Sequence, residues 1–133
     1  MIYGVGHDVL EIKRLAILIS GPQGEKFMNR VLTEQELAIS RTKGAKLNEF
    51  VAGRFAAKEA ITKAFGCGIG RTINFTDMEI LPDALGKPVV QLSHAAWDRL
   101  DLEGGAAAYQ VHLSISHQTE IASAFAVVER IQA

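Results

Sequence analysis

Asp8, Glu59 and Lys63 are the residues of this chain whose types and setting could carry chemistry. Glu59 and Lys63 stand four apart, so on a helix they pair in the favoured acid-first order. On a solvated face such a pair contributes ~0.2–0.5 kcal/mol and no chemistry. The run that contains them, residues 50–70 (FVAGRFAAKEAITKAFGCGIG), gives the pair a second reading. At 100° per residue Phe50, Ala57, Ala60, Ile61 and Ala64 share one face, and Ala52, Ala56, Glu59 and Lys63 fall opposite. A helix apolar almost all round is buried on more than one side, and charges on it usually have a specific partner. Two carboxylates with lysine and glycine beside them suit a hard cation such as Mg²⁺, which prefers oxygen ligands completed by water and substrate phosphate. Gly66, Gly68 and Gly70 supply a left-handed stop after Phe65 and a backbone that a ligand can approach. The glycine run lacks both the strand–glycine–helix context of a dinucleotide fingerprint and the Lys-Ser/Thr of a P-loop.

The remaining reactive side chains carry less. His112 and His117 are an odd number of residues apart along one strand and its turn, so they do not share a face and make a poor zinc pair. Cys67, the one cysteine, reads as a small helix-end residue and not a nucleophile. It cannot form an internal disulfide, which points to a reducing, cytoplasmic setting. The start, MIYGVGHD, lacks the pattern of a signal peptide, and no apolar run approaches the ~20 residues of a membrane span. A net charge of −1 argues against general nucleic-acid affinity. Residues 13–46 nevertheless hold seven Lys/Arg against three acids, a local +4 that leaves −5 elsewhere. Such a surface suits an acidic protein partner or a phosphate-bearing ligand, and ordinary solvated helix faces account for it as well.

The elements that must position these groups follow from period and punctuation. At 133 residues the chain reads as one domain, 1–133, with length for a real core. Ile2 to Val5 alternate as a strand that Asp8 ends, and Gly4 and Gly6 leave little side chain on one face. Residues 13–19 are helical in composition and stop at Ser20-Gly21-Pro22; residues 25–32 form a second short helix. Thr33 to Glu36 is a capping-box sequence that opens a helix to about Thr42, and Asn48 is placed to cap the central helix. Residues 76–81 and 88–92 read as a hairpin across residues 83–87, and Ser93 caps a helix over 94–100 whose Trp97 belongs in the core or at its edge. Residues 109–116 alternate strictly, whereas residues 121–129 are apolar on both faces apart from Ser123. A strand of that kind is buried on both faces, which in a small domain predicts helices on one side and another subunit on the other.

Three segments together resemble the signatures of holo-[acyl-carrier-protein] synthases, the small 4′-phosphopantetheinyl transferases. They are Gly4-x-Gly6-x-Asp8 with Arg14 downstream; Arg54-Phe55-Ala56-Ala57-Lys58-Glu59-Ala60-x-x-Lys63-Ala64-x-Gly66-x-Gly68-Ile69; and Leu113-Ser114-Ile115-Ser116-His117. The similarity spans nearly the whole chain. It implies an α+β fold, an antiparallel-rich small sheet packed against one long and several short helices, assembled as a homotrimer with active sites at subunit interfaces. The implied reaction moves the 4′-phosphopantetheine arm of coenzyme A onto a serine of apo acyl carrier protein, in fatty-acid biosynthesis, releasing adenosine 3′,5′-bisphosphate. Asp8 and Glu59 would hold Mg²⁺ on the CoA pyrophosphate, with Lys63 on a phosphate oxygen. Arg54, Ser116 and His117 would contact CoA phosphates, and the backbone of Gly66 to Gly68 would lie beside the nucleotide. Lys13, Arg14, Lys26 and Arg30 would dock the acidic helix of the carrier protein. The chain departs from the family in three places: residues 13–19 are more apolar than the usual docking helix, Ile121 stands where an aromatic is commoner, and His7 adjoins Asp8, where it reads as neutral filler. Two rival readings are a transferase serving a polyketide or peptide synthetase carrier, and a non-catalytic CoA- or carrier-binding oligomer. Retention of both Asp8 and Glu59 favours catalysis over the latter.

Overall fold

Gly4 and Gly6 set how closely the first strand lies on the central helix, and the rest of the fold is arranged around that contact. In the computed structural model, which describes residues 1–131, the order is β1 (Ile2–Glu11), α1 (Ile12–Ser20), α2 (Gly24–Val31), α3 (Glu34–Ser40), α4 (Leu47–Phe65), β2 (Met78–Pro82), β3 (Pro88–Leu92), α5 (His94–Leu100), β4 (Tyr109–His117) and β5 (Ile121–Arg130). Short 3₁₀ turns occupy Gly44–Lys46, Phe75–Asp77 and Gly105–Ala108. The strands form two antiparallel sheets, β1-β5-β4 and β2-β3, in the α+β arrangement that the sequence predicts.

Helix α4 lies diagonally across the three-stranded sheet. A Cβ added at Gly4 or Gly6 would stand 1.8 Å from the carbonyl oxygen of Ala64 or Ala60, so the C-terminal half of α4 rests on bare backbone of β1. At the other end a Cβ on Gly53 would meet Ile115 Cγ2 of β4 at 3.2 Å. Beneath the helix β5 contributes Ala122, Ala124, Ala126 and Val128, all buried, against Ala56, Ala57, Ala60 and Ile61. Small residues on both elements let the backbones approach, and Ile61 at full burial adds ~1.5–3 kcal/mol of transfer free energy. Trp97 lies at the core edge as expected, stacked on Tyr109 (6.0 Å between centroids) and edge-on to Phe65 (5.7 Å).

The structure corrects several boundaries. Strand β1 does not end at Asp8 but runs to Glu11, because pairing with β5 continues through Leu10↔Ala122 and Glu11↔Ile121. Asn48 does not cap α4. The turn at Gly44–Lys46 runs straight into the helix, Lys46 N–H bonding Lys43 O at 3.0 Å, so Asn48 already lies inside the first turn. Helix α3 stops at Ser40, whose hydroxyl donates to Leu37 O at 2.6 Å. Within this chain β5 is not covered on both sides. Its outer face, with that of β1, leaves Val5, Val9, Ile121 and Phe125 exposed, Phe125 at 48%.

Candidate functional site

Alternation along β1 puts Gly4, Gly6, Asp8 and Leu10 toward α4, so the two glycines that admit the helix also bring Asp8 beneath its last turns. Lys63 Nζ donates to Asp8 Oδ1 at 3.1 Å and to the His7 carbonyl at 3.0 Å. Glu59 sits one turn earlier on the same side of α4. Burial pushes its carboxyl above the ordinary carboxylate range, the negative charge of Asp8 pushes it further, and Lys63 partly opposes both. Two carboxylates thus share one ammonium group. A small divalent cation would relieve their repulsion, and two hard oxygen donors fit Mg²⁺ completed by water and phosphate. Among the described residues no group of three or more His, Cys, Asp or Glu is placed to hold a metal, so the protein would supply two ligands.

Helix α4 ends beside this cluster. Gly66 takes φ 82° as the left-handed cap, Gly68 φ 66°, and both bond back to the last turn through Lys63 O and Thr62 O. A Cβ at either glycine would meet nothing within 4 Å, so this backbone faces open space. Cys67 points back, its Sγ 3.8 Å from Thr62 O, and burial raises its thiol, which suits a helix-end residue. His7 differs from its expected setting. Its side chain is on the outer face of the sheet, Nε2 3.1 Å from Ser123 Oγ, and only its backbone carbonyl meets Lys63.

A second cluster forms at the other flank of α4. Arg54 and His117 line a groove of about 490 Å³ with Lys43, Lys46, Glu49 and Phe50. His117 Nδ1 is 3.7 Å from Glu49 Oε2. The Arg54 guanidinium lies 4.6 Å from the Phe50 ring centroid, Lys43 Nζ 5.3 Å from the same centroid, and Arg54 Nε donates to Ile80 O at 3.2 Å. Burial lowers the proton affinity of Arg54, against the opposing pull of Glu36. Three cations around one groove suit a phosphate. Sequence reasoning counted Lys43 and Lys46 only as part of a basic stretch; their i,i+3 spacing just before α4 was the available signal. Ser116 is not in this groove. Its neighbour across the sheet is Ser123, and as the residue before His117 it faces the outer side.

The two clusters cannot converge within one chain. Arg54 and Lys63, nine residues apart on one helix, are separated by ~13 Å along its axis and half a turn around it. Asp8 pairs with Ala124 and His117 with Ala122 from opposite sides of β5, so their strands lie two spacings, ~10 Å, apart with α4 packed between them.

The basic residues expected to dock a partner divide between α1 (Lys13, Arg14) and α2 (Lys26, Arg30). Arg14 borders a groove of about 480 Å³ lined by Val9, Leu15, Leu18, Phe27 and Phe55. Ile17 and Leu18 remain exposed beside it, the apolar character that the sequence gives to this helix.

The sequence matches the family model described as the 4′-phosphopantetheinyl transferase superfamily over residues 4–126. It is 44% identical over 132 residues to a holo-[acyl-carrier-protein] synthase of Bacillus cereus, an alignment covering 98% of each chain. Among solved structures it is similar to the holo-(acyl-carrier-protein) synthase of Bacillus anthracis in complex with CoA (3′,5′-ADP), with TM-score 0.81, 43% identity and 98% of each chain covered. It is also similar to the synthase of Neisseria meningitidis, with TM-score 0.86, 38% identity, and 98% of this chain and 100% of that one covered.

Proposed function

Since the chain belongs to the holo-[acyl-carrier-protein] synthases of the 4′-phosphopantetheinyl transferase superfamily, we propose that it transfers 4′-phosphopantetheine from coenzyme A to a serine of apo acyl carrier protein, as one transferase domain over residues 1–133 serving fatty-acid biosynthesis in the cytoplasm. The observation that carries the reading is the Asp8–Lys63–Glu59 cluster against the open backbone of Gly66 and Gly68.

Asp8 and Glu59 would hold Mg²⁺, a role that suits the Glu59 carboxyl, whose charge is made costly by burial and by Asp8. Bound there with the CoA pyrophosphate, the ion would draw charge from the phosphoryl centre under attack. Lys63, hydrogen-bonded to Asp8, supplies a second positive group for a phosphate oxygen. The carrier serine oxygen forms the new bond to the phosphorus that bears the pantetheine arm, and the bond from that phosphorus to adenosine 3′,5′-bisphosphate breaks. The serine proton passes to a water held at the Asp8 or Glu59 carboxylate. Arg54 and His117 take CoA phosphate, and Lys43 and Lys46 add charge to the same groove, from which Ser116, on the outer face of the sheet, is turned away. Lys13, Arg14, Lys26 and Arg30 meet the acidic carrier, whose apolar side chains fit the groove beside Leu15 and Leu18.

Since Arg54 and Lys63 point away from each other in one chain, a complete site takes Asp8, Glu59 and Lys63 from one subunit and Arg54 and His117 from another. A homotrimer provides three such sites and covers the apolar face of β1 and β5. The test is the intact mass of apo acyl carrier protein after incubation with this protein, CoA and Mg²⁺. A gain of one phosphopantetheinyl group, abolished by EDTA and by a serine-to-alanine carrier, is expected. Unchanged mass with several carriers while CoA still binds would make the chain a CoA-binding protein without transferase activity. Faster loading of a polyketide or peptide synthetase carrier than of the fatty-acid carrier would reassign its partner.

A further inference from the structure

Glu36 and Lys58 are both wholly buried, and nothing in the proposed reaction uses them. Glu36 Oε1 accepts from Lys58 Nζ at 2.6 Å and from Thr33 N–H at 2.9 Å, while Oε2 accepts from Ile80 N–H at 2.9 Å. Lys58 Nζ also donates to Val31 O at 2.7 Å. A capping box needs only one oxygen at this position and glutamine serves it as well. An apolar pair would avoid the desolvation of a carboxylate and an ammonium group altogether. The charge at Glu36 therefore calls for a reason other than helix capping.

That reason lies on the far side of Ile80. Both backbone polar groups of this residue are engaged, the N–H donating to Glu36 and the carbonyl accepting from Arg54 Nε, which is itself 3.9 Å from Glu36 Oε2. The Nε edge of the guanidinium is thus fixed against strand β2 with a negative charge behind it, and its face lies over Phe50. The Nη edge makes no hydrogen bond or ion pair to a described residue, and Arg54 lines the basic groove with its side chain only 12% exposed. A planar fork held along one edge presents the other in one orientation, and that fixed presentation is what bidentate binding of a phosphate requires.

We propose that Glu36, paired with Lys58, is a positioning residue that seats Arg54 through Ile80 and so fixes the guanidinium edge that takes a CoA phosphate. The assignment rests on the reading of Arg54 as a CoA ligand.

The experiment is a double-mutant cycle on the assembled protein, comparing wild type, Arg54→Ala, Glu36→Gln/Lys58→Met and the triple variant, with CoA affinity measured calorimetrically in Mg²⁺ buffer. Arg54→Ala should weaken CoA by about tenfold or more, and the Glu36/Lys58 variant by roughly fivefold. The triple variant should be no weaker than Arg54→Ala within about twofold, because a seat without its occupant has nothing to orient. In steady state the Glu36/Lys58 change should raise KM for CoA and leave KM for the carrier protein unaltered, a split that general loss of structure would not produce. An unaltered CoA affinity in the Glu36/Lys58 variant, or losses that multiply fully in the triple, overturns the positioning role alone. An Arg54→Ala protein that binds CoA normally overturns the ligand assignment together with it. If the double variant does not fold, Arg54→Lys carries the test in an intact pocket. Lysine keeps the charge without the Nε edge, so affinity near that of Arg54→Ala is expected, and affinity near wild type overturns the proposal.

Discussion

Lys63 holds two acceptors at once, the Asp8 carboxylate and the His7 carbonyl, so its charge is committed to the place where Asp8 and Glu59 meet. Glu59 is the more exposed of the two assignments to test, because burial and Asp8 together make its charge costly and only a cation justifies it. Glu59→Gln removes one of the two proposed metal-ligand carboxylates and keeps the shape. The expected outcome is a fall in carrier loading of about 10²-fold or more with the fold intact, and full turnover in Mg²⁺ would remove the residue from the site. The cluster was legible in the sequence in two ways: helical spacing carries Glu59 and Lys63 to one side, and the family resemblance brings Asp8 to them, because a strand read as ending at Asp8 does not by itself set Asp8 on the face of Gly4 and Gly6. The Glu36–Lys58 pair was not. Its members are 22 residues apart on different helices, and Glu36 satisfied the capping-box pattern so fully that the pattern hid its ionic partner. His7 was misplaced for a related reason, since neighbours along a strand point to opposite faces.

Among the elements, α4 and β1 are joined by contact of bare backbone, and this is the joint on which the first cluster depends. Gly6→Ala places a methyl 1.8 Å from Ala60 O, which forces strand and helix apart. A loss of more than ~2 kcal/mol in chemical unfolding is expected, and with it the Lys63–Asp8 approach. Stability within 0.5 kcal/mol of wild type, about the scale of a neutral surface change, would show that the joint has slack. Further along the chain, Asp77 ties the turn at Phe75–Asp77 to α5, accepting from Asn74 N–H at 2.9 Å, Ser93 Oγ at 2.7 Å and Arg99 Nη2 at 2.6 Å. Burial alone would raise its carboxyl, but these donors outweigh it and hold it below the ordinary range. A depressed folded value means stabilisation that is full above the ordinary aspartate range and lost as pH falls through the folded value. Asp77→Asn should therefore cost roughly 1–3 kcal/mol near neutrality, with the gap in unfolding free energy closing on acidification. A gap independent of pH would place the contribution elsewhere. Helix α5, the hairpin and the stop at Gly66 were readable because each carries its own local punctuation. The extension of β1 to Glu11 and the start of α4 at Leu47 were not, since the first depends on a distant pairing partner and the second on a turn that feeds the helix without a side-chain cap.

For the whole molecule, the doubly apolar strand β5 was what the residues themselves, apart from the family resemblance, said about assembly, and in the isolated chain its outer face joins that of β1 in an exposed surface built from Val5, Val9, Ile121 and Phe125. What the residues alone did not disclose is that α4 lies across the sheet with Arg54 and Lys63 on opposite flanks, the geometry on which the proposal of a shared site rests. If two subunits share each site, defects on the two flanks complement each other. Arg54→Ala and Glu59→Gln proteins, each of low activity, are mixed, dissociated and reassembled, and carrier loading is followed by intact mass. About a quarter of the interfaces then combine an intact Glu59 side with an intact Arg54 side, so activity should rise toward a quarter of wild type. No rise above the separate variants, in reassembled mixed oligomers, would contradict a site built from both flanks of α4.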